Sequence, residues 1–189
     1  MRLWVIFDIH MENHRDFNPK QPAFDVLVCA GDVYNDIVVA MGMVRAIAGK
    51  KLAIFVAGNH EYWGDMTESD AFERGHAYAQ KCGVLFLERG SFDISGVRFA
   101  GATLWDEGDE RYWPAVEDLA VCAPDVVVTH YPPPALALVT VGARLWIHGH
   151  HHGHSDIQAG RTRVVRNSGY PGEPVPEGVP AREDFVVEI

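Results

Sequence analysis

The sequence predicts an α/β fold in which two mixed β-sheets pack as a sandwich flanked by helices, and three features carry that reading. Short apolar runs bounded by turn residues recur along the chain, as strands buried on both faces require. Some are separated by segments with a 3.6-residue apolar stripe, the mark of helices with one buried side. Strands outnumber helices and their order is mixed, which favours two packed sheets with helices outside over one purely parallel sheet.

Taken in order, Arg2–Phe7, Asp25–Ala30 and Lys51–Ala57 read as buried strands. Apolar residues at Ile37, Ala40, Met41, Val44 and Ile47 make a helix of Asp36–Ala48. Glu68–Cys82 repeats the stripe with Ala71, Phe72, Tyr78, Ala79 and Cys82, and Gly83 is suited to stop it. Val84–Leu87 follows as a strand. Ser95-Gly96 is a tight-turn signal, so Phe92–Ile94 and Val97–Ala100 form a hairpin. A third helix is expected from Pro114 to Ala123, ended by Pro124. Asp125–Thr129, Ala143–Ile147, Arg163–Val165 and Phe185–Val187 complete the strands, and Pro and Gly in 171–180 mark a surface loop. With no repeat, low-complexity stretch or linker, residues 1–189 read as one domain.

The formal charge of −10 argues against long nucleic acid, which is bound largely through basic surface. It leaves room for a small phosphorylated substrate, because metal ions can reverse the local potential. Cys29, Cys82 and Cys122 are odd in number and widely spaced, as reduced cytoplasmic thiols are. The apolar run Leu3–Phe7 is too short for a signal core or a membrane span. A soluble cytoplasmic protein with no membrane partner is expected.

Each of five apolar runs leads into residues that bind metals: Asp8-x-His10, Gly31-Asp32, Gly58-Asn59-His60-Glu61, Thr129-His130 and Gly149-His150-His151-His152. Asp8 offers a hard oxygen and His10 a borderline nitrogen, and a spacing of two puts both on one side of an extended segment. Asp32 has two oxygens and can bridge two cations, while Asn59 offers a neutral carbonyl oxygen. His150 and His152 share a side while His151 points away. Singly, each cluster has an ordinary reading as a turn, a cap or a core histidine. Jointly they lie at the C-terminal ends of candidate strands, where open α/β sheets place ligands.

In this order the clusters resemble the calcineurin-like metallophosphoesterases, whose pattern runs D-x-H, G-D-x-x-[D/N], G-N-H-[D/E], a later H, and G-H-x-H. The chain carries Asp8-Ile9-His10, Gly31-Asp32-Val33-Tyr34-Asn35, Gly58-Asn59-His60-Glu61, His130 and Gly149-His150-His151-His152. The resemblance spans residues 8 to 152, and Asn167-Ser168-Gly169 is similar to the N-P-G segment that often follows. It implies an αββα sandwich and two divalent metal ions. One ion would be held by Asp8, His10, Asp32 and His152, the other by Asp32, Asn59, His130 and His150. Mn²⁺ is the expected metal, with Fe or Zn²⁺ as alternatives. A hydroxide bridging the ions would attack phosphorus, and His60 would protonate the leaving group or stabilise its charge.

Asn35, Glu61 and Asp156 are expected to support this site. Asn35 stands where the family often carries an acid beside the catalytic histidine, with Asp36 next door as a substitute; Asp156 would either orient His152 or be a solvated loop acid. His151 and His154 are expected to be solvated or peripheral. Tyr62, Trp63, Trp105 and Trp113 would either wall the site or pack elsewhere. No arginine lies in Gly31–Asp36 or Ala57–Glu61, unlike the protein serine/threonine phosphatases, which favours a phosphodiester substrate. A small-molecule phosphodiesterase is therefore the leading expectation. A nuclease of the same superfamily and a noncatalytic scaffold with this fold are the alternatives.

Overall fold

The computed structural model describes residues 1–171, 173–175 and 178–189. Among the described residues, eleven strands form two sheets. In the first, β1 (Arg2–Ile6), β2 (Val26–Cys29), β3 (Leu52–Phe55) and β4 (Leu85–Phe86) run parallel, and β11 (Val186–Glu188) pairs antiparallel with β1. In the second the order is β5 (Gly90–Ile94), β6 (Val97–Ala102), β7 (Val126–Thr129), β8 (Leu145–His148), β10 (Thr162–Ser168) and β9 (Gly153–Ala159). The β5–β6 and β9–β10 pairs are antiparallel hairpins, and the other pairs are parallel.

Alternation along each strand divides the core into three layers. Leu3, Val5, Val28, Ile54, Val56, Phe99, Val128 and Ile147 meet between the sheets. Trp4, Ile6, Leu27, Cys29 and Phe55 point the other way, against α1 (Ile37–Ala48) and α2 (Glu68–Cys82). Ala100, Ala102, Val127, Trp146 and Val164 pack under α3 (Tyr112–Val121) and α4 (Ala135–Val141). This is the helix–sheet–sheet–helix sandwich that the mixed strand order implied. Burying side chains of this size contributes roughly 1.5–3 kcal/mol each.

Helix limits follow local chemistry. Asp36 lies outside α1 as its N-cap, accepting from the amides of Val38 and Val39 at 2.9 and 3.0 Å. Thr67 caps α2, and Gly83 ends it in the left-handed conformation. The third helix begins at Tyr112 rather than Pro114, since a proline needs no amide partner in a first turn. Among the described residues, no helix is long and apolar enough to cross a membrane. The expected 171–180 loop lies partly outside the described residues, because residues 172, 176 and 177 fall there.

The parallel strands β1, β2 and β3 of one sheet and β7 and β8 of the other end on the same rim. At the opposite end of β1 the chain termini meet: the Met1 ammonium donates to the Ile189 carbonyl at 2.8 Å, and the Ile189 amide donates to Met1 at 3.0 Å.

Candidate metal centre

The rim gathers all seven expected ligands, but not by the extended geometry their spacing suggested. β1 stops at Ile6, and Asp8, His10, Asp32 and His150 take left-handed backbone with φ of 53°, 43°, 52° and 65°. Non-glycine residues rarely hold such angles, and those that do concentrate at functional sites. The chain turns sharply after each strand, so its side chains fold back over the rim. Bare glycine makes the approach possible: a Cβ on Gly31 would lie 2.2 Å from the Gly58 nitrogen, and one on Gly58 would lie 2.2 Å from Asp32 Oδ1.

The rings are aimed by their outer nitrogens. His130 Nδ1 sits 2.8 Å from the Ala30 carbonyl, which can only accept, so this nitrogen carries the hydrogen and Nε2 is a bare lone pair. That Nε2 faces Asn59 Oδ1 at 3.0 Å, His150 Nδ1 at 3.2 Å and Asp32 Oδ2 at 3.5 Å. His10 Nδ1 meets Glu12 at 3.1 Å and His152 Nδ1 meets Glu173 at 3.1 Å, which leaves their Nε2 atoms for the site. Asp8 Oδ2 accepts from Ser168 Oγ and the His150 amide, while Asp8 Oδ1 is buried with no hydrogen-bond partner.

Among the described residues, three triads have their ligand atoms within 4.8 Å of one another: Asp8–His10–His152 and Asp32–His130–His150, made of expected ligands, and His10–Glu12–His60 beside them. Lone pairs converging without hydrogens between them repel unless a cation intervenes. Burial pushes the Asp8 and Asp32 carboxyls well above the ordinary aspartate range and holds His130 far below the usual imidazole value. It lowers His10 and His150 as well, leaving the neutral rings that metal binding needs. The residues present fit divalent cations.

His60 opens a 3₁₀ turn (His60–Tyr62), with Nε2 3.8 Å from Asp32 Oδ2. Its Nδ1 meets Asn35 Oδ1 at 2.9 Å and Glu12 Oε1 at 3.3 Å, and the Trp63 ring stacks on it at 3.6 Å. The acid beside His60 is therefore Glu12, not Asp36, whose carboxylate is taken by the α1 amides. Glu12 continues the Asp8-x-His10 spacing by two residues, a signal the sequence reading passed over. Asp156 lies away from His152, paired with Arg163 on the β9–β10 hairpin; Glu173 stands in the place expected of it. Glu61 is buried and accepts from the amides of Asp32, Val33, Tyr34 and Gly58, at 2.8, 2.7, 3.2 and 2.7 Å. It binds the second and third motif loops together. His151 is exposed, and His154 turns to Asn167 and Phe185.

Thr103, just past β6, ties the second sheet to this loop: its hydroxyl lies 2.9 Å from the Ala57 carbonyl and 2.7 Å from Glu88, with one hydrogen to give to either. Burial raises the Glu88 carboxyl to about 7. Because the folded value lies above the unfolded one, Glu88 favours folding below about pH 4.5, and that contribution is lost as pH rises through 7. Wild-type stability should therefore fall relative to Glu88→Gln between pH 5 and 8, by on the order of 3 kcal/mol at most. An unchanged difference in unfolding free energy between wild type and variant, from urea titrations at the two pH values, would contradict this.

A sandwich with paired His/Asp triads at one rim defines the class: a fold built around a candidate two-metal site. Residues 1–154 match the family model described as calcineurin-like phosphoesterase, and the chain belongs to that family. Solved structures agree on the fold. The phosphopantetheinyl hydrolase of Mycobacterium tuberculosis is 16% identical with a TM-score of 0.62, covering 89% of each chain. GAP50, the anchor in the inner membrane complex of Plasmodium, is 12% identical with a TM-score of 0.51, covering 88% of this chain and 70% of that one. No curated protein sequence matches the chain.

Proposed function

We propose that the protein is a binuclear metal-dependent phosphodiesterase acting on a small-molecule phosphodiester. The observation that supports this best is the gathering of ring nitrogens around Asp32 Oδ2: His130 at 3.5 Å, His60 at 3.8 Å and His10 at 4.0 Å. Asp8, His10, Asp32 and His152 would hold one ion, and Asp32, Asn59, His130 and His150 the other. When bound, such a pair clamps phosphate oxygens and lowers the pKa of a coordinated water to roughly 7.

The protein's own part is orientation and proton delivery. Glu12, the Ala30 carbonyl and Glu173 fix three rings with Nε2 inward, so little reorganisation remains when substrate arrives. His60, steadied by Asn35, Glu12 and Trp63, hands a proton from Nε2 to the leaving oxygen as the imidazolium, which Glu12 favours against the lowering that burial imposes. A terminal phosphate dianion would call for a cationic side chain, and among the described residues no Lys or Arg hydrogen-bonds or ion-pairs with the cluster. A diester, with one charge, suits it better. The nitrogen and oxygen donors suit Mn²⁺, with Fe or Zn²⁺ as alternatives. The reading takes residues 1–189 as one catalytic unit in the reducing cytoplasm, where Cys29, Cys82 and Cys122 stay free.

With Mn²⁺, purified protein should hydrolyse bis(p-nitrophenyl) phosphate faster than p-nitrophenyl phosphate. His60→Asn should lower kcat by about 10²–10⁴-fold while metal content is retained. No turnover with Mn²⁺, Fe²⁺ or Zn²⁺ would overturn the reading.

A further inference from the structure

A cavity of about 300 Å³ lies along the rim, with Tyr62, Phe72, Glu88, Leu104, Trp105 and Arg111 among its walls. A continuous run of rings joins it to the cluster. Tyr131 stacks on His150 with centroids 4.0 Å apart and donates its hydroxyl to Asn59 Oδ1 at 3.4 Å. Trp105 lies 6.0 Å from Tyr131, and Tyr62 lies 5.7 Å from Trp105. A substrate held at the cluster thus reaches the cavity across aromatic surface.

The backbone at this wall is unusual. Leu104 and Trp105 are consecutive, bulky and both left-handed, with φ of 74° and 56°. Such conformations persist only where the surroundings impose them, and they gather at ligand sites. Here Thr103 imposes them, anchored through its amide to Glu88, through its hydroxyl to Ala57 and Glu88, and through its carbonyl to the Tyr131 amide. The result is a tryptophan held at the cavity wall.

Charge narrows the occupant. The Arg111 guanidinium lies 3.6 Å over Trp105 and is paired with Asp109 and Glu68; Arg89, also in the wall, is paired with Asp118. An anion would find these cations already engaged and a carboxylate beside them. With Glu68 and Glu88 set against Arg89 and Arg111, the wall carries as many acidic as basic groups and gives a charged ring of either sign no net attraction. Among the described residues Glu88 is bonded only by Thr103, so its oxygens keep acceptor capacity toward the cavity. At the lower end of small-ligand volumes, roughly 300–1,000 Å³, the space suits one ring system.

We propose that this cavity binds a neutral, flat, amino-bearing heteroaromatic ring on the substrate's non-phosphate arm, packed among Tyr62, Phe72 and Trp105 with an N–H donated to Glu88. The assignment rests on the phosphodiesterase reading for the other end of the substrate. Adenosine and purine riboside, which lacks the exocyclic amine, are the probes, titrated by calorimetry into the metal-loaded protein. Adenosine should bind about tenfold more tightly than purine riboside. Glu88→Ala should remove that preference, and Trp105→Ala should weaken both ligands. Equal affinities in the wild type, or no adenosine binding at millimolar concentration, would overturn the proposal without any variant having to fold. Neither probe carries a phosphate, so the result is independent of turnover. Diester hydrolysis without adenosine binding would remove the cavity's role and leave the catalytic reading standing.

Discussion

Replacing Asp32 by alanine should lower kcat at least about 10³-fold and reduce bound metal from two ions per chain to one or none. The carboxylate belongs to both sides of the site at once. Oδ1 accepts the His60 amide at 2.9 Å, and Oδ2 faces ring nitrogens from His10, His60 and His130. Without it the ions would lose a shared ligand, and the three rings would lose the negative charge they face. Several kcal/mol of transition-state stabilisation, at about 1.4 kcal/mol per decade, gives the stated loss. Asp32→Asn is the companion variant, since it keeps the shape while replacing one acceptor with a donor. Steady-state rates and elemental analysis on the same preparations decide the matter. Two ions per chain and a rate within tenfold of wild type would rule out the bridge.

Glu61→Ala should cost about 4 kcal/mol or more of stability, a large share of the roughly 5–15 kcal/mol a domain possesses. Four backbone amides converge on this buried carboxylate, and water cannot replace it. Removing the side chain leaves those donors unsatisfied, each at a cost of about 1–3 kcal/mol before relaxation. Glu61→Gln should fall between, because its amide NH₂ would point at two of the same donors. Urea unfolding of the three proteins tests the order. A loss under about 1 kcal/mol for the alanine variant would show that the loops hold together without the clamp.

How much was visible beforehand depends on what each residue's neighbours are. The interior strands were legible because β1, β2, β3, β7 and β8 are covered on both faces and carry unbroken apolar runs. β9 escaped notice because it is an edge strand with Asp156, Ile157 and Gln158 exposed, so no alternation marks it. The helix α4 is apolar on both sides, with Leu136 and Val139 in solvent, so it shows no stripe. The ligand types and Asn35 could be named in advance because motif order is a property of the chain. The outer carboxylates could not all be named. Glu173 reaches His152 across a Pro/Gly loop whose path no local pattern dictates. Asp36 looked like a partner for His60, yet an acid placed immediately before an apolar stripe is an N-cap first.

The pairing of Met1 with Ile189 has a practical side. Met1 and Ile189 lie together on the floor of the sandwich, at the far end of β1 from Asp8. An affinity handle fused at Met1 or Ile189 would tether the molecule upside down, with the rim that carries Asp8 and Asp32 facing bulk liquid. Chelator, replacement metals and candidate esters could then be washed in sequence over a single immobilised sample.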